Sequence, residues 1–365
     1  MKTESSLLYR TTLVLAFLVL ATLVLYYGKP LLIPLTTAAL FAMLLLPVVR
    51  RLERLHLGRL PAVMVALMLF LAVVVGTFSL LSAQVMLLMK DLPMFQQRFN
   101  ERLEQLQRWI SSMTGLSTAE QLQYLQQTAD QLLRHAQDLA VSILSVTTGV
   151  LVFVGLQLVF IFLFLYYRSR LRRFLLQLLP QHHHLQANQI LDQTNAVMQR
   201  YVAGVFIVIL VLAVLNSALF GLAGVPHAVL FGMLAAFLNI IPYLGIWIGT
   251  AMPLIVTAVV HDSLTSLIII VVGMWAIQQL ENHILTPRIT GAQVSLNMLA
   301  TVLVLFIGGT LWGVAGMILF IPLLGIAKII FDSVDELKPF GYLVGEERSG
   351  AFGFSQIRRW WRKDK

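Results

Sequence analysis

The chain has 365 residues, no cysteine, 58% hydrophobic residues and only 12% charged ones, with a mean hydropathy of +0.83. A soluble domain carries about 45–50% apolar and about 25% charged residues, so the composition excludes a disordered chain and points to an integral membrane protein. Without thiols there is no disulfide scaffold and no thiolate zinc site. The net charge of +9 does not indicate nucleic acid, because Lys and Arg collect in the cytoplasmic loops of polytopic proteins for reasons of insertion.

A spanning helix needs about 20 mostly apolar residues, so the stretches free of charge locate the segments. They run over 11–28, 30–49, 60–89 and 139–167, then over 201–260, 263–280 and 289–327. The first is read as a retained span, because a second begins at once and no small-x-small cleavage site follows. Arg and Lys set the orientation. The N-terminus, the loop at 50–59 and the linker at 168–200 hold eleven basic residues, against six in the alternate loops. Both termini are therefore expected in the cytoplasm, with the Arg358–Lys365 tail suited to anionic headgroups.

Lys90 to Ala140 is too polar to span, with ten Gln and eleven charges. Phe95, Phe99, Leu103, Leu106, Ile110 and Met113 keep helical spacing, as do Leu122, Leu125, Leu132, Ala136 and Leu139. This pattern predicts two amphipathic helices, broken at Ser111–Gly115 and restarted by a capping box at Ser117 and Glu120. Such an insert suits either an external module for gating or for self-association into a homo-oligomer, or a helical hairpin lying on the membrane surface or against the spans. In the linker, His182, His183 and His184 read as a solvated turn after Pro180. Consecutive side chains diverge on a helix and no carboxylate supports them, so no metal site is expected.

The 60-residue uncharged run from Tyr201 to Val260 must hold more than one element. Tyr201 to Phe220 makes one span, and Gly221 to His227 breaks it. Ala228 to Val260 would be about 50 Å long as one helix, against a hydrocarbon core of about 30 Å. Its centre, Asn239-Ile240-Ile241-Pro242-Tyr243-Leu244-Gly245, is poor in helix formers. The order repeats: 263–280 is a span, and Leu296 to Ile330 is again too long, with Gly308-Gly309-Thr310-Leu311-Trp312-Gly313 at its centre. Either both long segments are kinked spans, or both are re-entrant hairpins with tips at Pro242 and Gly309. The hairpin version gives an inverted repeat with broken helices, as in secondary transporters, where the breaks mark the substrate site. The expected fold is all-α and polytopic, with about eight membrane segments. Its expected divisions are three spans (1–89), the insert (90–140), a fourth span with linker (141–200), a transport core (201–331) and a basic tail (332–365).

Ionisable residues inside a membrane are functional suspects. Between Tyr201 and Phe331 the only acids are Asp262 and Glu281, and the only Arg and Lys are Arg288 and Lys328. Glu281 and Asn282, followed by Pro287 and Arg288, form the densest polar run, so ion coupling is assigned to Glu281, Asp262, Arg288 and Asn282. Pro287 argues against a continuous helix there. The substrate path is assigned to Asn239, Pro242, Tyr243, Gly245, Gly308, Gly309 and Gly313.

The run Gly224 to Gly245 resembles the signature of the AI-2E family of bacterial transporters, the autoinducer-2 exporter or PerM-like permease group. The stretches Glu281–Gly291, Gly308–Gly316 and Ile321-Pro322-Leu323 are similar to the same family's second block. The resemblance implies a multi-pass transporter of the bacterial cytoplasmic membrane, an ion-coupled exporter of a small, quorum-signal-like molecule. Sodium–proton exchange is the family's other association, and an oligomeric channel or scaffold is the remaining reading. No phosphate-binding Gly-x-x-x-x-Gly-Lys-Ser/Thr loop, His-Glu-x-x-His or Gly-x-Ser-x-Gly motif occurs, so neither an enzyme nor a cofactor is expected. The expected partners are the lipid bilayer, a small-molecule or ion substrate and further copies of the chain.

Overall fold

A computed structural model describes residues 2–114, 131, 147–241, 244–260, 263–289 and 296–346. Among these residues the chain is helical, and its one β-bridge pairs Leu296 with Gly345. The helices are α1 (Lys2–Tyr27), α2 (Lys29–Arg54), α3 (Arg59–Thr114), α4 (Thr147–Gln177), α5 (His184–Leu222), α6 (Ala228–Leu238), α7 (Leu244–Val260), α8 (Leu264–Leu280), α9 (Thr286–Ile289), α10 (Met298–Ser333) and α11 (Lys338–Val344). Six described helical stretches are long and apolar enough to cross a membrane, and Thr11–Tyr27, Ala228–Leu238 and Gly245–Val260 are shorter apolar helices. This is an all-α polytopic membrane protein.

The first part of the polar insert is not a separate helix. α3 runs unbroken from Arg59 through Pro93 to Thr114. A helix of this length is about 84 Å long, so its polar end extends well past a hydrocarbon core of about 30 Å. Most of the insert's second half, 115–130 and 132–140, lies outside the described residues, as does the tail from 347.

The chain divides into two compact units. One comprises Met1–Pro47, Leu163–Val202 and Gly291–Lys365. Its core joins Leu40, Met198, Trp312 and Leu319. The Trp312 ring stands edge-on to Phe320 with centroids 5.0 Å apart, and its Nε1–H donates to the Leu25 carbonyl at 2.9 Å. In the Arg-rich linker, Arg172 donates to both carboxylate oxygens of Asp192 at 2.8 Å and to Asn188 Oδ1. That fork joins the end of α4 to the start of α5. Asn297 caps α10 by accepting from the Ala300 amide at 2.8 Å, and its own amide donates to the Leu343 and Gly345 carbonyls.

Within this unit α10 is sharply bent. Gly313 has φ 61° and ψ −142°, a region open essentially to glycine alone. Residues eight apart on a straight helix are separated by about 12 Å. Across this bend, however, a Cβ on Gly308 would stand 2.5 Å from the Gly316 carbonyl oxygen. The break therefore sits at Gly313 rather than at the Gly309 tip expected from sequence, with Gly308 and Gly316 forming the contact between the two arms. Gly313→Ala has open space around its new methyl, so only backbone strain opposes it. It should lower stability by about 1–3 kcal/mol, read as a lower unfolding midpoint of the purified protein. An unchanged midpoint would mean that the bend does not depend on this conformation.

The second unit comprises Val48–Phe162 and Ala203–Thr290. Here α6 and α7 form an antiparallel hairpin. The break before it contains Gly224 and His227, both at positive φ. His227 Nε2 lies 3.0 Å from Asp91 Oδ2 on α3, and Arg98 of α3 donates to the Val260 carbonyl, at the end of α7, at 3.0 Å. Small residues bring the arms together: a Cβ on Gly249 would stand 2.9 Å from Ala235 Cβ, and one on Gly245 would stand 2.6 Å from the Leu238 carbonyl carbon. One side of the hairpin packs with Phe220, Ile270 and Met274, and Ala236 packs with Val208 and Leu212 of α5. The first long segment is thus two short helices and not a kinked span.

Candidate functional site

The site in the second unit is built from the hairpin break and from one altered turn. α8 ends at Leu280, and Glu281–Leu285 continues the helix as a π turn into α9. The Thr286 amide donates to the Glu281 carbonyl, five residues back. Pro287 follows directly. Proline has no amide to donate and its ring crowds the preceding turn, and a widened turn is one way a helix continues past such a residue. Glu281 and Pro287 therefore lie on one helical path, contrary to the discontinuity expected from sequence.

The π turn places Glu281 inward, where it is 8% exposed. Its Oε1 accepts from Asn239 Nδ2 at 2.5 Å. Asn239 follows α6 at the start of the break, so the carboxylate is tied to the first arm of the hairpin. Both residues line a cavity of about 10 Å³ together with Asn216, Gly245, Met274 and Gln278. That volume holds about one water molecule. Asn216 is 3% exposed, and its Oδ1 is buried without a hydrogen-bond partner. It belongs to the inward stripe of α5, in step with Leu212 and Phe220.

The other sequence-assigned residues are distributed differently. Asn282 is exposed and accepts from Gln278 Nε2 at 3.0 Å. Arg288 is exposed, and among the described residues no ion pair joins it to Glu281. Gly308, Gly309 and Gly313 belong to the first unit, around the bend of α10. Pro242, Tyr243 and Asp262 lie outside the described residues. Asn216 is the residue that the sequence reading passed over.

The chain matches the family model for AI-2E family transporters over residues 15–336, a range that includes Asn216, Asn239, Glu281 and the bend at Gly313. Among individual proteins, it is similar to the Bacillus subtilis protein named "Putative transport protein YueF", at 24% identity over 315 residues, covering 83% of this chain and 84% of that one. A Mycobacterium tuberculosis protein of the same description is 26% identical over 318 residues, covering 86% of each chain. A second Bacillus subtilis protein of that description, YrrI, is 30% identical over 130 residues, covering 36% of each chain.

Proposed function

The chain belongs to the AI-2E family of transporters, and from that premise we propose that it exports a small, quorum-signal-like molecule by coupling to an ion gradient, with Glu281 carrying the coupling ion. The observation that carries this reading is the environment of Glu281. Among the described residues that are buried, it is the one acid or base. The cavity beside it has no Lys, Arg or His in its wall. A buried carboxylate without a cationic partner is costly in its charged form, so it must hold a proton or a small cation, and exchanging them requires contact with an aqueous path. Ionisable groups so placed in membrane helices are the usual carriers of coupling.

Asn239 gives the exchange a mechanical consequence. It donates to the carboxylate from the break of the α6–α7 hairpin. A change of occupant at Glu281 alters the strength of that bond and biases the position of the hairpin. The substrate path is assigned to the backbone freed at the hairpin break, beside Asn239 and Gly245. The basic loops and both termini face the cytoplasm.

Proteoliposomes with an imposed pH difference test the reading, with labelled autoinducer-2 as the probe of the signal class. The expected result is accumulation against its own gradient that collapses on adding a protonophore. Flux that only runs downhill and ignores the protonophore would replace coupled export with a passive pore.

A further inference from the structure

We propose that a pocket between the polar end of α3 and the end of α7 binds the headgroup of a zwitterionic phospholipid, one that carries a phosphate and a primary ammonium. The pocket is separate from the Glu281 cavity, and a lipid bound there needs no ion coupling.

The pocket has a volume of about 420 Å³ and is lined by Arg98, Glu101, Arg102 and Gln105 of α3 and by Val259 and Val260 of α7. Sites for small ligands measure about 300–1,000 Å³. The four α3 residues are three and four apart, so they share one helix face. Arg98 donates to the Val260 carbonyl at 3.0 Å, a group that has no partner within its own helix. A guanidinium has five N–H donors, so this tie leaves donors on Arg98 for a phosphate. Arg102 donates to Gln105 Oε1 at 3.3 Å, which holds it against the same face. Glu101 accepts from Gln97 Nε2 at Oε1, at 3.0 Å, and its second carboxylate oxygen suits an ammonium donor.

The depth of the pocket fits a headgroup. α7 carries no charge up to its last residue, Val260, so its end marks the edge of the hydrocarbon. Arg98 stands at that edge, and Arg102 is about 6 Å further along α3. The polar layer of one leaflet is about 5–7 Å deep, so the two guanidinium groups bracket it. Along α7, Ile248, Met252 and Ile255 are exposed. With Val259 they keep helical spacing, and they make an apolar stripe for an acyl chain beneath the headgroup. Charge selects the headgroup. The negative end of α7 opposes Arg98, so the pair Arg102 and Glu101 matches a zwitterion better than a net anion.

The test is native mass spectrometry of the full-length chain, titrated with phosphatidylethanolamine, phosphatidylcholine and phosphatidylglycerol of identical acyl chains. Wild type should bind phosphatidylethanolamine about tenfold more tightly than the other two. The choline ammonium has no N–H for Glu101, and the glycerol headgroup has no ammonium. Glu101→Gln should erase the preference over phosphatidylcholine, and Arg102→Gln should weaken binding of all three lipids by about tenfold. Wild-type binding of phosphatidylcholine or phosphatidylglycerol as tight as that of phosphatidylethanolamine overturns the site. So does a preference that survives in Glu101→Gln, or wild-type affinity in Arg102→Gln. If Arg102→Gln does not fold, the Glu101→Gln result decides alone. Soluble glycerophosphoethanolamine shares the headgroup chemistry but lacks the chains, so it should compete only weakly. Displacement by it at the lipid's own concentration would make the ligand a free solute and overturn the lipid assignment.

Discussion

Replacing Glu281 with glutamine is expected to leave an inserted, monodisperse chain whose flux no longer follows the pH gradient. Glutamine has the same length and still presents an Oε1 to Asn239, so the bond that ties the turn to the hairpin break is kept in neutral form. Stability should change by no more than about 1 kcal/mol, the net worth of one hydrogen bond. What disappears is the exchangeable charge. Glu281→Leu makes the contrast, because it leaves the Asn239 amide without its acceptor, which costs about 1–3 kcal/mol when buried. A pH profile of flux through wild type, Glu281→Gln and Glu281→Leu checks both parts. A pH response that survives in Glu281→Gln would move coupling to another group, with Asp262 the next to test.

The largest structural effect is expected at the crossing of the α10 arms. Gly316→Ala should destabilise the fold by about 1–3 kcal/mol or more, the usual range for overpacking. The new methyl would be driven into the backbone of Gly308, and backbone cannot rotate away as a long side chain can. Gly308→Ala meets the Gly316 carbonyl in the same way. Gly76 and Gly155 are the controls, because an added Cβ there meets nothing within 4 Å. Gly76→Ala and Gly155→Ala should be neutral or gain up to about 1 kcal/mol through better helix propensity. Thermal unfolding followed by size exclusion separates the two pairs. Equal midpoints for Gly316→Ala and Gly155→Ala would mean that the arms do not meet.

Much of this architecture was legible because hydrophobic length and punctuation leave strong marks. The uncharged run at 201–260 is too long for one span, and Gly221–His227 and Asn239–Gly245 divide it where the structure does. The same arithmetic located the second break, although Gly313, not Gly309, takes the non-helical conformation. A string of glycines shows that a bend is cheap without showing which residue bends. Two local features were hidden. Pro287 suggested an interrupted helix, yet the chain absorbs it in a π turn, an adjustment that depends on how the turn packs. Pro93 in α3 suggested nothing, and the insert's first helix proved continuous with the third span. Asn216 escaped notice for a different reason. Reading charge gaps finds acids and bases but passes over a neutral amide. Its four-residue step from Leu212 and to Phe220 would have placed a polar side chain on a buried stripe.

The most direct measurement reads the Glu281 carboxyl itself. Infrared difference spectra of the reconstituted full-length chain are recorded between acid and alkaline pH, for wild type and for Glu281→Gln. Wild type should show a protonated-carboxyl band that appears on acidification within the pH range where flux changes, and Glu281→Gln should lack it. Identical difference spectra for the two proteins, or a Glu281 band that stays constant through that range, would contradict an ion carried on this residue.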